Sequence, residues 1–573
     1  MSNQSNTSKF KVECTQTKIP DLKALDKSVK PGQYDDEFEY SPYKITELQC
    51  YNPILSDFIN TGDAADTVTL NHPYHIIDLN TVSKNSETVE RRPVHVKFSP
   101  LLDPLRYMIG KYDLTNNKTI ALPKPTGDET TNITKILSKN NASYVDNFFC
   151  FLSSKVLESH GFLHGLEYYG SFVGIQDKYK MNIIDDFDYL QSSDFFKENI
   201  GKYFKVTDND ADSYVGGGSR GNKPKITIPS GKHNTTDISV IDLGDSIEEV
   251  IDLGVTEIEE VYEKQSNHSS STSSYDSSNN SETNYSSDEE NDSENGEKEE
   301  DDEEAWETES ESNSVSSGDE EEAVYSYIDN YPIQMICLEK CHGTLDELFM
   351  KNKINDKNGA SILFQIIMIL LTYQEKFHFT HNDLHTNNIM FTNTDIKFLY
   401  YKYGGKTYRV PTHGRIFKLI DFGRSIYKFQ NNLYCSDSFF TGGDAATQYN
   451  FEPFMNNKKP RLDPNYSFDL CRLGTSIYDF IIEDDHKPSQ LDELQKTILR
   501  WCKDDNDKNI LYKRDGSERY PGFRLYKMIS RTVHQHTPEE QLKQPYFSQF
   551  QVDSVEEGAV LMDIDAIPVY STN

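Results

Sequence analysis

The chain has 573 residues, with 93 Asp or Glu against 58 Lys or Arg, a formal charge of −35. At roughly 150 residues per domain this length holds two to four domains, or one domain with large insertions. So acidic a chain lacks the basic face that phosphate backbones require, which excludes direct nucleic-acid binding as a default role. Hydrophobic residues make up 36 %, with 35 Tyr and 31 Phe, enough for a sizeable aromatic-rich core.

Residues 1–39 are polar and read as a poorly ordered lead with no secretory signal. Residues 40–207 are globular. Strand-like runs fall at 75–79 and 94–98. Between 144 and 159, Val145, Phe148, Phe149, Leu152 and Val156 recur on one face of a 3.6-period helix, and Gly161 is its expected stop.

The composition then changes. From 208 to 323 the chain turns Ser/Asn-rich and then acidic. Between Glu282 and Glu322 there are 20 acidic side chains and one basic one, Lys298, so this stretch carries most of the net charge. Such a segment cannot bury enough apolar surface to offset its ordering entropy, which predicts a disordered acidic insertion. Globular sequence resumes at 324 and runs to 552, and 553–573 reads as a tail. Ile362 to Leu371, interrupted by Gln365, is about half of a membrane span and predicts a buried helix instead. The eight cysteines form no CxxC pair, which points to a reduced intracellular, cytoplasmic setting.

The chemistry-bearing stretch follows that helix: His381-Asn382-Asp383-Leu384-His385-Thr386-Asn387-Asn388, then a strand-like run, then Asp421-Phe422-Gly423. This order and spacing resembles the H-x-D-L-x-x-x-N loop and D-F-G of the protein kinases. The arrangement, with long insertions around an intact loop in an Asn/Ile/Tyr-rich chain, most resembles the divergent protein-kinase-like proteins of giant DNA viruses. The resemblance implies an α+β, bilobal fold with a small β-rich lobe and a large helical lobe. It also implies a serine/threonine protein kinase using ATP and Mg²⁺ on a protein substrate, in a host cell or virion.

Each residue type suits the implied role. Phosphoryl transfer is mostly positioning and charge neutralisation. Asp383 would accept or orient the substrate hydroxyl proton, and His381 would brace the loop. Asn388 and Asp421 offer hard oxygens to Mg²⁺. Phe422 and Gly423 would shape the metal-binding turn, and Asp469, in Ser467-Phe468-Asp469-Leu470, would hold the loop's backbone. Gln334-Met335-Ile336-Cys337-Leu338-Glu339-Lys340-Cys341 resembles the fifth strand and hinge. Leu338 would be gatekeeper, with the Glu339 to Cys341 backbone against adenine. Val94-His95-Val96-Lys97 resembles the V-A-I-K strand, making Lys97 the phosphate lysine and 144–159 the regulatory helix of the small lobe.

Several features depart from the family. No G-x-G-x-x-G precedes Lys97, and Thr61-Gly62-Asp63 is a poor substitute. The helix glutamate expected between 149 and 153 is absent. Asp146 lies a turn early and Glu158 too late, so the partner of Lys97 is unassigned. Asn382 replaces the Arg that pairs with a phosphorylated activation loop, an exchange that removes a strong phosphate partner. His385 replaces a common Lys and is similar to haspin-like and small-molecule kinases. Residues 400–412, with Gly404-Gly405 at the turn, read as an inserted hairpin. Glu452 faintly matches A-P-E, with Arg531 as its expected partner.

Within the insertion, Val240-Ile241-Asp242-Leu243 recurs as Val250-Ile251-Asp252-Leu253, each followed by acids. The pair resembles the SUMO-interacting motif, which works by strand addition with an acidic flank; an ordinary strand pair or a duplication is the plainer alternative. The acidic run with Ser286, Ser287, Ser310, Ser312, Ser316 and Ser317 suits acid-directed phosphorylation or a basic partner, or serves only as a solvated spacer. Two rivals to the kinase reading stay open: a pseudokinase scaffold recruiting partners through the insertion, and a small-molecule kinase.

Overall fold

The computed structural model describes residues 10–59, 67–85, 88–112, 121–124, 134–207, 323–482 and 491–572. The Val240 and Val250 repeat, the serines of the acidic run and Thr61-Gly62-Asp63 lie outside them. The described chain mixes α and β structure.

Its largest sheet has five strands. Tyr325–Glu339 pairs antiparallel with both Val94–Pro100 and Tyr168–Asn182; Ile45–Gln49 extends the latter edge, and Phe204–Val206 adds a short rung. Tyr325–Glu339 is buried along most of its length, including polar Ser326 and Gln334, so only its Met335–Leu338 end reads as an apolar run. The register sets Ile336 opposite Lys97. Thr207 N–H donates to the Tyr325 carbonyl at 3.0 Å, so the chain leaves for the long insertion and returns from it at one point of this sheet.

The Ala142–His160 helix packs on the sheet. Asn141 caps its start by accepting from Ser143 N–H, and Gly161, at φ 65°, closes its end. A left-handed residue there favours glycine. Most of the helix is buried, including polar Ser143, Asn147 and Ser153. Buried all round, the helix binds the sheet through polar pairs such as Ser99 Oγ to Ser143 Oγ at 2.9 Å.

The second half is built around the Asp356–Phe377 helix, which opens on an Asn355/Asn358 capping box and ends at His378 in the left-handed region. Residues Gly359 to Gln374 are buried throughout. The Phe468–Ile481 helix lies close against Glu493–Trp501. A Cβ on Gly474 would stand 2.9 Å from Trp501 Cβ, so glycine permits the approach. The expected hairpin is Phe398–Tyr403 with Lys406–Pro411, turning through Gly404 and Gly405, both at positive φ. No helix among the described residues is long and apolar enough to cross a membrane.

Both chain ends differ from expectation. Within 1–39, Cys14–Gln16 pairs with Val68–Leu70, and the Asp21-capped helix Leu22–Lys27 buries Leu25. Within 553–573, Leu561–Asp563 runs parallel to Phe398–Tyr403, and Met562, Ile564 and Ile567 are buried. Tyr570 stacks on Phe10 at 3.8 Å and shares a 2.6 Å hydrogen bond with His160. The first segment is mostly polar and the last interleaves apolar residues with acids, but each docks on a hydrophobic surface that the rest of the fold supplies.

His164 is wholly buried. Its Nδ1–H donates to the Phe417 carbonyl, and Nε2 accepts from the Tyr401 hydroxyl, both at 2.7 Å. Burial pushes its pKa down to about 3. Between the unfolded value near 6.5 and about 3 the unfolded chain alone binds the proton, so this contribution to stability is lost as pH falls through that window. We expect a slope of about 1.4 kcal/mol per pH unit from this residue. Urea unfolding at pH 7, 6 and 5 should show His164→Gln losing that share of the acid sensitivity; an unchanged slope would refute it.

Candidate active site

Two strands and two helices converge on the 381–388 loop. Ile389–Asn393 pairs antiparallel with Arg415–Leu419, Ile389 facing Leu419. This register brings Asn388 beside the residues just past Leu419: Ile420 N–H donates to the Asn388 carbonyl at 3.0 Å. Asn388 Nδ2 donates to the Asp383 carbonyl at 2.9 Å, closing the loop on itself. His381 spans the same gap, its Nε2–H donating to the Ile420 carbonyl at 3.0 Å. From the Phe468–Ile481 helix, buried Asp469 accepts the N–H groups of His381 and Asn382 at 2.9 and 2.8 Å. Asp383, Asn388, His381 and Asp469 thus form one hydrogen-bonded unit.

Lys97 extends from the sheet to Asp421, the residue after Ile420. Its Nζ lies 2.8 Å from Asp146 Oδ2 and 2.9 Å from Asp421 Oδ1. Burial acts against its charge, but the two carboxylates outweigh it and hold the ammonium well above its ordinary range. For Asp421, burial acts upward and Lys97 prevails, leaving the carboxyl below its usual range.

Asp146 therefore fills the place for which no glutamate was found. Its other oxygen accepts Phe422 N–H at 2.8 Å, so one carboxylate ties the helix to Lys97 and to the D-F-G backbone. The stretch expected to carry an acid is committed to packing: Phe149 meets Phe422, Phe379 and Tyr373 at 4.8, 4.3 and 5.1 Å. Asp146, three residues earlier, shares that helix face. Glu158 pairs with Lys155.

Asp383 is a fifth exposed. Burial would raise its pKa, but Arg424, His385 and Arg472 hold it far below the usual carboxylate range. Arg424 Nη1 stands 3.5 Å from Asp383 Oδ2 and Nη2 is 2.8 Å from Asp444. Tyr526, on the Arg524–Thr532 helix, donates to Asp383 Oδ1 at 2.8 Å. Burial pushes His385 down to about 4 despite Asp383, so it is neutral near pH 7.

At the expected hinge, Leu338 is buried, and the N–H groups of Glu339 and Lys340 donate to the Glu167 and Pro93 carbonyls at 3.0 Å each. The Glu339 side chain pairs with buried Lys418. Cys341 is half-buried. The Glu452–Arg531 pair does not form as expected: Glu452 pairs with Arg461 at 2.7 Å, and Arg531 donates to the Thr447 carbonyl. Arg461 lies close enough in sequence to reach Glu452 across a short turn.

Sequence reasoning weighed Asp146 without assigning it and missed Arg424, Arg472 and Tyr526. Arg424 directly follows D-F-G, and Arg472 stands one helical turn from Asp469, so position alone could have flagged both. Nothing local flags Tyr526.

No family model matches the chain. One stretch of 131 residues, 22 % of this chain, is 34 % identical to the serine/threonine-protein kinase haspin of Mus musculus. Another comparison gives 35 % identity over 88 residues, 15 % of the chain, with haspin of Bos taurus. The matched stretches are 17 % and 11 % of the lengths of those proteins. This similarity supports a protein-kinase-like relationship.

Proposed function

We propose that the protein transfers the γ-phosphoryl group of ATP to a serine or threonine hydroxyl of a protein substrate, on a bilobal protein-kinase-like fold. The observation that carries this reading is the meeting of Lys97, Asp146 and Asp421 with the Asp383–Asn388 loop. A lysine, a metal-ligand carboxylate and a base are held there by separate elements. Asp383, kept ionised, accepts or orients the hydroxyl proton. Lys97 steadies ATP phosphates, and the hinge at Leu338 to Cys341 seats the adenine. Because the Glu339 and Lys340 N–H groups are occupied, the donating part of that contact falls on the Cys341 N–H.

The donor set fits a magnesium ion. Asp421 supplies carboxylate oxygens and Asn388, its amide nitrogen committed to the loop, supplies an amide oxygen. Bound there, Mg²⁺ would neutralise phosphate charge. The pseudokinase alternative drew on the missing helix glutamate, and Asp146 weakens that ground.

The test is transfer of label from ATP with Mg²⁺ by the full chain, offered a basic and an acidic protein substrate. Wild type should label protein, with Asp383→Asn and Asp421→Ala reduced to background. A folded wild type that neither binds ATP in a thermal-shift assay nor transfers label would overturn the reading. Label appearing on small molecules alone would favour a small-molecule kinase.

A further inference from the structure

Tyr526 lies 143 residues downstream of Asp383, on a different helix, yet its hydroxyl donates to Asp383 Oδ1 at 2.8 Å. It is 7 % exposed. Its ring stacks on Phe523 at 5.3 Å and 22°, and approaches Phe468 at 6.1 Å. Arg472 Nε donates to the same hydroxyl at 2.8 Å, and the Arg472 guanidinium stands 5.0 Å from the ring centroid. A hydroxyl that accepts from a guanidinium is left to donate its own proton, and the carboxylate is its acceptor. The order Arg472, Tyr526, Asp383 therefore has one donor direction.

Arg472 and Asp469 stand three residues apart on one helix, hence on one face. That face holds the loop twice: Asp469 grips the backbone at His381 and Asn382, and Arg472, through Tyr526, grips the side chain of Asp383. Fixing the backbone alone leaves a carboxylate free to rotate about its Cβ–Cγ bond. Tyr526 removes that freedom by holding one oxygen. The other faces Arg424 at 3.5 Å, too long for a tight hydrogen bond, and retains acceptor capacity for an incoming hydroxyl.

We propose that Tyr526, clamped by Arg472, is a positioning residue that sets the carboxylate of Asp383 for the substrate hydroxyl. The proposal rests on the kinase reading above. Tyr526 touches neither ATP nor substrate in this account, so its removal acts on turnover and not on binding.

The experiment measures kcat and KM for ATP and for the protein substrate in wild type, Tyr526→Phe and Arg472→Gln, with melting temperatures alongside. Tyr526→Phe keeps the ring packing and removes only the hydroxyl. We expect its kcat to fall about 10-fold or more, the scale of one lost hydrogen bond to a charged group. Both KM values should stay unchanged, with Arg472→Gln falling in the same direction. If Tyr526→Phe lost folding, Arg472→Gln would carry the test by the same kcat-against-KM split. An inert wild type would overturn the kinase reading and this proposal with it. An active wild type with unchanged kcat in both variants would overturn this proposal alone. A rise in kcat would overturn it too, marking Tyr526 as a plug.

Discussion

Lys97→Met is expected to reduce phosphoryl transfer by about 10²–10³-fold, the scale of losing one preorganised electrostatic contact, and to lower stability at pH 7 by about 3–5 kcal/mol. The stability cost arises because Asp146 and Asp421 each lie within 2.9 Å of the same ammonium. Methionine fills the space but leaves two carboxylates without their counter-charge, one of them almost wholly buried. One then takes up a proton at a pH where the unfolded chain, titrating near 3.9, does not. A carboxyl whose folded pKa lies above its unfolded value binds more protons when folded, so its variant gains stability as pH falls. In wild type the sign is opposite for Asp421: its depressed pKa gives stability that is full above about 3.9 and lost only below. The gap in unfolding free energy between variant and wild type should therefore narrow from pH 7.5 to pH 5, by up to about 1.4 kcal/mol per unit. Taking the difference cancels buried histidines such as His164; His95, which Lys97 helps to hold down, moves with the variant in the same direction, so the comparison is made in a His95→Gln background. Asp146→Asn, whose one remaining acceptor oxygen can still take Phe422 N–H and which leaves Lys97 with Asp421, should cost less on both counts. Denaturant unfolding across that range checks this, and a gap that stays constant would refute the assignment of the two carboxylates.

What the sequence showed depends on how local each signal is. The helix from Ala142 was legible from its apolar spacing and Gly161, and the Phe398–Pro411 hairpin from Gly404-Gly405. Lys97, Asp383 and Asp421 lie within runs whose order is itself informative, and the structure brings these three regions together. Asp146 was weighed and left unassigned because distance along a helix was measured from a family expectation. The face shared with Phe149, not the count from His160, decides which acid reaches the lysine. Tyr526 was illegible for a deeper reason: its partner is fixed only by how two helices cross, and no local pattern records that. The docked chain ends were misread because composition reports whether a segment can fold alone, not whether a finished surface awaits it.

Asn382 shows how a departure from a motif can carry its own structural logic, and it carries the last expectation. Read against the motif, it is an Arg lost, hence a phosphate partner lost. In the fold it is fully buried at φ 64°, a backbone region that asparagine tolerates better than most residues. Its Nδ2 donates to the carbonyls of Thr380 and Arg424 at 3.2 and 3.0 Å, and its Oδ1 accepts from the Tyr449 hydroxyl at 2.8 Å. One amide thus joins the loop to the segment after D-F-G and to residues well beyond it. Arg424, just past D-F-G, holds Asp444 at 2.8 Å, an ion pair that involves no phosphate. Two results follow. Phosphatase treatment should leave phosphoryl transfer unchanged. Asn382→Arg, instead of conferring phosphate control, should destabilise the fold by about 3–5 kcal/mol, because it strands the partners of the amide and buries a second guanidinium beside Arg424. Chemical denaturation of the variant and a labelled-ATP assay on phosphatase-treated wild type measure the two. Activity lost on dephosphorylation, or a variant as stable as wild type, would show that the segment is held by something other than Asn382 and the Arg424–Asp444 pair.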